Sequence, residues 1–368
     1  MDALQAARFS VVVPTLNESG NVAELVARLA RVLGGVPWEV IFVDDDSQDG
    51  TREVLRELAR RDGRVRMIHR IGRRGLSSAV VEGVLASAAP FVAVMDADLQ
   101  HDEALLPRMF HALNSGEAEL VVASRYMEGG GVGNWSDSRR RLSRLASRAT
   151  QLLLPGAALS DPMSGFFALR RETFDEAARR LSGIGFKILL DIASSLRRNV
   201  ALRELPYRFR TRHSGQSKLS GQVLWEGVLL LLDKRMGGIL PLRFLAFSLV
   251  GGLGVAVHAA VFAAARIFLG AAFVHAQTAA VGVALSFNFL VNNRITFGES
   301  RLRGWALLRG WLSFSLACSI GAIANIALAT FLHDKAGLSA LLAVPAGIAV
   351  GAVWNYSISS FYTWKVAR

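Results

Sequence analysis

Cysteine is almost missing from these 368 residues: only Cys318 is present, inside an apolar run, so an intrachain disulfide and any metal centre built on several thiolates are excluded. Nothing in the chain therefore speaks for an oxidising compartment. No long apolar stretch follows a basic start within residues 1–9, so no secretory signal is expected there. No Gly-x-Gly-x-x-Gly follows the first strand-like run, which argues against a dinucleotide-binding Rossmann domain. Acid is scarce in the last third, where residues 241–368 hold only Glu299 and Asp334 against nine Lys and Arg.

What is present is unevenly placed. Hydrophobic residues make up 52% and the formal net charge is +12, and the length suits about two or three domains. A charged first part is followed by an apolar one. Positive charge fits either a nucleic acid or an anionic membrane surface, and the apolar second part favours the membrane.

The first part alternates strand and helix signals. Phe9-Ser10-Val11-Val12-Val13 is a β-branched run stopped by Pro14; Val22, Leu25, Val26, Leu29 and Val32 then recur at helical spacing. Strand-like runs return at 38–43, 65–68 and 92–95, with helical patterns at 51–59 and 76–86 between them. This predicts an α/β, Rossmann-like, mostly parallel sheet with its ligand site at the carboxyl ends of the strands. Acids gather at those ends: Glu18 after the first strand, Asp44-Asp45-Asp46 after the second, Asp96-Ala97-Asp98 after the fourth.

A buried strand gives no reason to place two carboxylates at its tip unless they are paired or bind a cation. Asp96 and Asp98, with the Gln100 amide, offer hard oxygens to Mg²⁺ or Mn²⁺, while Asp44 or Asp45 could accept from base or ribose donors. The plainer alternatives are helix capping by Asp98 and His101 near Glu103, and an acidic turn at 44–49. An acidic edge repels phosphate unless a cation intervenes, so the pattern suits a nucleoside-diphosphate sugar.

Several ordered motifs carry a resemblance: Val12-Val-Pro-Thr-Leu-Asn-Glu18, Val43-Asp-Asp-Asp-Ser-Gln-Asp-Gly-Thr51, Met95-Asp-Ala-Asp-Leu-Gln-His101, Ser124-Arg-Tyr126, Asp161-Pro-Met-Ser-Gly-Phe-Phe-Ala-Leu-Arg170, Gly185-Phe-Lys-Ile-Leu189 and Arg212-His-Ser-Gly-Gln-Ser-Lys-Leu219. Residues 1–220 resemble family 2 glycosyltransferases of the GT-A fold, specifically polyprenyl-phosphate (dolichol-phosphate) mannose synthases. The resemblance implies that Pro14, Leu16, Glu18, Val43 and Asp45 hold the nucleotide, Pro14 and Val43 partly through backbone or packing. It implies that Asp96, Asp98 and Gln100 hold metal and diphosphate, with Ala97 in the same loop. Arg125, Lys187, Arg212 and Lys218 match donor and phosphate contacts, with Asp98, Arg125 and Arg212 at the reacting centre. Arg125, Arg139, Ser143 and Ser164 fall where the acceptor phosphate is gripped. Two departures stand out: Asp102-Glu103 replaces a frequent pair of prolines, and Asp191 a frequent Glu.

Transfer to a lipid phosphate needs no general base, because the nucleophile is already an anion at neutral pH. It needs cations, and a single displacement inverts the anomeric centre. Residues 156–168, rich in small side chains, are expected to form a mobile loop over the site.

Leu142, Leu145, Ala149 and Leu152 recur at helical spacing among arginines, so an amphipathic interfacial helix is expected at about 137–154, where nucleic-acid binding would leave the apolar stripe without a partner. A second interfacial helix or linker is expected at 221–240. Four apolar segments follow in 241–368, at 244–265, 276–291, 311–332 and 338–364, the second needing Asn292 and Asn293 to span a bilayer. They predict an all-α four-helix transmembrane domain that resembles the GtrA-like domain, with both termini and the catalytic domain cytoplasmic by the positive-inside rule. His258, Asn288, Asn325 and Asn355 inside these spans suggest packing between helices. The partners expected are GDP-mannose or another nucleotide sugar, a dolichyl or polyprenyl phosphate, the lipid bilayer and a second copy of the chain, with no nucleic acid. The alternatives are a UDP-glucose-dependent enzyme of the same class, a lipid-linked-sugar carrier or flippase component, and a processive synthase; the last usually carries Gln-x-x-Arg-Trp, which is absent here.

Overall fold

The structure, a computed structural model, describes residues 7–132, 159–181, 187–196, 198–210 and 242–364. The chain folds as two compact units, Met1–Gly237 and Gly238–Arg368. The interfacial helices expected at 137–154 and 221–240 lie outside the described residues.

The first unit runs β1 (Phe9–Thr15), α1 (Val22–Val32), β2 (Trp38–Asp44), α2 (Thr51–Arg61), β3 (Val65–His69), α3 (Leu76–Ala86), β4 (Phe91–Val94), α4 (Leu106–Asn114), β5 (Leu120–Ser124), β6 (Phe167–Arg170), α5 (Arg171–Ala178), α6 (Ile188–Ser195) and β7 (Leu202–Pro206). Its seven strands form one sheet ordered β3-β2-β1-β4-β6-β5-β7, parallel except that β6 runs antiparallel to β4 and β5. Helices cover both faces, which is why β1, β2 and β4 read as continuous apolar runs. Phe9, Val11 and Val13 pack with Leu25 and Leu29 of α1 and Met109 of α4. Val12, Ile41 and Val92 pack on the other side with Val80 and Val84 of α3 and Phe174 of α5. Gly83 lets α3 sit directly on the sheet: a Cβ there would collide with Val12 and lie 2.9 Å from Val43.

From β1 the chain moves outward through β2 and β3, then returns to place β4 on the other side of β1. That reversal is the topological switch point, and it opens a crevice beyond the tips of β1 and β4. Residues 159–166, expected to be part of a mobile loop, are instead packed: Leu159, Asp161, Ser164 and Phe166 are all buried. The small residues there serve close packing under the crevice.

The second unit has four helices, α7 (Leu242–Ile267), α8 (Phe273–Arg294), α9 (Trp305–Thr330) and α10 (Ala340–Ile358). All four are long and apolar enough to cross a bilayer. The second span runs past 276–291 at both ends, taking in Asn292 and Asn293 as expected and ending at Arg294. α7 packs on α8 and α9 on α10, making two hairpins.

The hairpins repeat one another. Gly254, Gly270, Asn288, Thr296 and Phe297 recur at one constant interval as Gly321, Gly337, Asn355, Thr363 and Trp364. Gly270 and Gly337 turn the chain with φ of 59° and 67°. A Cβ on Gly254 would collide with the Asn288 amide, and one on Gly321 with the Asn355 amide, so each hairpin closes by seating an amide on a glycine. Asn325 likewise packs against Gly347. Where the hairpins meet, Phe297 stacks on Trp364 at 4.2 Å and Phe247 lies 6.3 Å from Phe314, each ring against its own counterpart.

Candidate active site

The tips of β1 and β2 are stapled to each other. Asn17 N–H donates to Ser47 Oγ at 2.8 Å, Gln48 N–H to Asn17 Oδ1 at 2.9 Å, and Glu18 N–H to Thr51 Oγ1 at 2.9 Å. Asn17 takes a left-handed φ of 57°, a conformation asparagine tolerates, and this turns the chain away from the sheet after Thr15. Pro14, Leu16 and Glu18 are left half-buried at the mouth, and Val43 is buried beside Pro14 in the strand register.

The acidic run on β2 divides its labour. Asp44 is fully buried and accepts from Ser47 N–H at 3.0 Å and Ser47 Oγ at 2.5 Å, so it shapes the turn. Asp45 accepts from Arg70 Nη1 at 2.7 Å and Gly75 N–H at 2.7 Å. Burial pushes the Asp45 carboxyl above its ordinary range, against the pull of Gly75 and Arg70. Arg70, itself buried, also donates to Gly75 O and Ser78 Oγ, fixing the loop that precedes α3.

Beyond β4 the backbone makes one more sheet bond, Met95 N–H to Val12 O at 3.2 Å, and then turns. Leu99 makes the turn with φ of 62° while its side chain is buried, a strained conformation of the sort that persists where surroundings impose it. Asp98 accepts from Gln100 N–H at 3.1 Å. The Gln100 amide nitrogen donates to Arg210 O at 2.9 Å, which turns its side-chain oxygen the other way. His101 is 1% exposed, stacked on Phe166 at 5.1 Å with Tyr207 and Phe209 against its edges. Asp96 N–H donates to its Nδ1 at 3.1 Å, so the neutral ring carries its proton on Nε2, 3.7 Å from Asp96 Oδ2. Burial holds the imidazole pKa down at about 4. The capping role weighed for Asp98 and His101 belongs to Asp102, which accepts from Ala104 N–H at 3.3 Å.

Arg125, at the end of β5, is paired with Asp161 through Nε to Oδ2 at 2.7 Å and Nη2 to Oδ1 at 2.8 Å. Its side chain is nearly closed off from solvent, 9% exposed. Ser164, expected to meet an acceptor phosphate, turns inward: its hydroxyl donates to Ala123 O at 2.7 Å, because that carbonyl at the strand end needs a partner. Gly165 lies over Asp96, where a Cβ would come 3.4 Å from Oδ2. Lys187 is half-buried just before α6. Arg139, Ser143, Arg212 and Lys218 lie outside the described residues.

The structure brings Asp96, Ala97, Asp98 and Gln100 into one turn beside the tips bearing Glu18 and Asp45. Two carboxylates and an amide are the donor set that Mg²⁺ or Mn²⁺ prefers. Among the described residues no three His, Cys, Asp or Glu side chains converge as a metal cage. The set therefore fits an ion that completes its shell with water and substrate oxygens. Asp161, Arg70 and Arg210 went unassigned at the level of sequence; Asp161 sits in a recognisable motif, whereas nothing in spacing links Arg70 to Asp45.

Comparison with known proteins follows the same division. Residues 10–177 match Glycosyl transferase family 2 and residues 246–364 match the GtrA/DPMS transmembrane domain, so the sheet is that of a GT-A glycosyltransferase built into an integral membrane protein. Dolichol-phosphate mannosyltransferase of Pyrococcus furiosus is 35% identical over 360 residues, 97% of this chain and 99% of its own length. Its counterpart in Saccharomyces cerevisiae is 37% identical over 225 residues, 59% of this chain and 82% of its own. The chain belongs to the dolichol-phosphate mannosyltransferase family of such enzymes. A solved structure, glucosyl-3-phosphoglycerate synthase from Mycobacterium tuberculosis with Mn²⁺, UDP-glucose and phosphoglyceric acid, is 18% identical with a TM-score of 0.49, covering 62% of this chain and 80% of that one.

Proposed function

We propose that the enzyme transfers mannose from GDP-mannose to a dolichyl or polyprenyl phosphate, with inversion, on the cytoplasmic face of the membrane. The observation that carries this reading is the likeness to the Pyrococcus furiosus enzyme over nearly the whole of both chains, membrane domain included. In the reaction an oxygen of the acceptor phosphate bonds to the anomeric carbon as the bond to the diphosphate oxygen breaks, and the electron pair leaves with GDP. Both reacting groups are anions, so catalysis rests on placing positive charge and holding the centres in line.

The chain's own residues divide the task. Asp45, fixed by Arg70 and the Gly75 N–H, and Glu18 form the nucleoside end of the crevice. Asp96 is oriented by His101, and Asp98 by the Gln100 N–H. These two carboxylates and the Gln100 oxygen would hold Mg²⁺ or Mn²⁺, which offsets the charge of a departing diphosphate when bound. Arg125, locked by Asp161, sets a fixed cation at the end of β5, and the resemblance adds Lys187, Arg212 and Lys218 for the donor and Arg139 and Ser143 for the acceptor. Ser164 acts from behind, holding the 159–166 segment to β5.

The orientation rests on charge. Arg294 at the end of α8, Arg301 and Arg303 in the connection, and Arg309 in the first turns of α9 cluster on one side, whereas Arg266 and Lys335 stand at the opposite ends of the spans. Four crossings return the chain to the side on which it entered. A donor panel tests the proposal: GDP-mannose, UDP-glucose and other nucleotide sugars are supplied with polyprenyl phosphate and Mg²⁺ or Mn²⁺, and sugar is measured in the organic phase. Transfer from GDP-mannose is expected to dominate; equal or greater transfer from UDP-glucose overturns it.

A further inference from the structure

Three links join the turn after β4 to a segment more than a hundred positions away in the chain. Arg210 N–H donates to Gln100 O at 3.0 Å, and the Gln100 amide returns the bond to Arg210 O at 2.9 Å. The Arg210 guanidinium then forks over the next acids, Nη2 to Asp102 Oδ1 and Nη1 to Glu103 Oε2, both at 2.7 Å. Arg28 of α1 reaches the other Glu103 oxygen at 3.7 Å. Asp102 and Glu103 are the departure from the proline pair that the resemblance anticipates, so this chain carries two further acids directly beside Asp96 and Asp98.

We propose that Arg210 is a positioning residue for the diphosphate end of the donor site. Its fork bridges Asp102 and Glu103 and offsets one of their two charges, with Arg28 beside the second, and the two bonds exchanged with Arg210 hold Gln100 with its side-chain oxygen away from that residue. Without Arg210 the pair would carry an added negative charge that opposes a diphosphate at short range, where charges partly shielded from water interact most strongly. The pair would also draw the turn away from the geometry in which Asp98 and Gln100 act together. The fork is itself partly exposed, 39% at Arg210 and 32% at Asp102, so its contribution to global stability is small and its effect falls on the site. The same clamp fixes the chain two residues before Arg212.

This inference rests on the loop being the diphosphate site, and the test separates it from the choice of sugar. Full-length protein in detergent is titrated calorimetrically with GDP and, separately, UDP, each with Mn²⁺, and its thermal midpoint is recorded alongside. Arg210→Met is expected to weaken nucleotide binding about tenfold, as loss of an outer partner of a metal-binding turn does, with little change in melting. Arg210→Met combined with Asp102→Asn and Glu103→Gln is expected to regain most of that affinity, because the uncompensated charge is gone. Wild-type affinity in Arg210→Met overturns the inference, as does a loss that the neutralised variant shares in full. Wild-type protein that binds GDP but transfers no mannose overturns the proposed reaction instead and leaves the clamp to be judged on the titrations.

Discussion

Arg125 and Asp161 meet as a buried fork, with both carboxylate oxygens engaged by guanidinium nitrogens at 2.7 and 2.8 Å and no part of Asp161 exposed. The pair joins the end of β5 to the segment that leads into β6, the strand running against its neighbours. Breaking a buried ion pair by removing one member costs ~3–5 kcal/mol. Asp161→Ala is therefore expected to lower the thermal midpoint of the purified protein markedly. Asp161→Asn, which keeps the shape and one acceptor, is expected to fall between it and wild type. Equal midpoints for all three would mean that the fork contributes nothing to the fold.

Asp98 sits in a different situation, buried and accepting from the backbone of its own turn at Gln100 N–H. Asp98→Asn keeps size and burial while removing the charge. It is expected to reduce sugar transfer by more than the ~10–100-fold typical of losing an outer partner of a metal site. Mn²⁺ titration of the variant, followed without any transfer reaction, is expected to show weakened binding, with melting unchanged to within a few degrees. Full transfer activity in Asp98→Asn would contradict the assignment of this turn.

How much of this could be read in advance depended on whether a signal was local. β1, β2 and β4 announce themselves because strands covered on both faces must be continuously apolar, and acids at their tips then stand out against that run. Spacing left adjacent Asp44 and Asp45 equivalent and only the resemblance singled out Asp45, since neighbouring strand residues point to opposite faces and only the folded sheet shows which meets Ser47 and which meets Arg70. Arg125 with Asp161, and Gln100 with Arg210, are pairs set by tertiary register, and no periodicity links such positions. Ser164 was legible as part of a motif but not in direction: only the bare Ala123 carbonyl explains why its hydroxyl faces inward. The hairpin repeat hid behind apolar residues that any membrane helix could carry; the recurring glycines, asparagines and threonines marked it.

Asp49 gives the fold an acid-sensitive point at the start of α2. Its carboxylate accepts from Thr51 N–H at 3.1 Å and Thr51 Oγ1 at 2.5 Å, and from Ser19 N–H at 3.1 Å. Burial works against its ionisation, but the bonds from Thr51 and Ser19 outweigh burial and hold the carboxyl at about 2. A depressed carboxylate adds stability in full above its ordinary value of 3.8 and loses it as pH falls toward 2. Asp49→Ala is expected to cost about 0.5–1 kcal/mol at neutral pH, toward the low end of helix-start contacts because the group is partly in water. Below pH 3 the melting curves of variant and wild type are expected to converge, and a gap that stays constant through that range would refute the linkage.

Gly254 with Asn288 and Gly321 with Asn355 are two copies of one contact, so their energetics should separate by hairpin. Adding a methyl at either glycine forces the seated amide out of its place, at ~1–3 kcal/mol for overpacking. Gly254→Ala and Gly321→Ala are each expected to lower the thermal midpoint in detergent. Asn288→Ala should relieve the first, because the space it vacates takes the new Cβ, and should leave the second unrelieved. Asn355→Ala should show the converse. Coupling of at least ~0.5 kcal/mol within each pair, with additive behaviour for Gly254→Ala combined with Asn355→Ala, is the pattern two independently closed hairpins produce. Strong coupling across the pairs would instead require that the four helices close as one cooperative bundle.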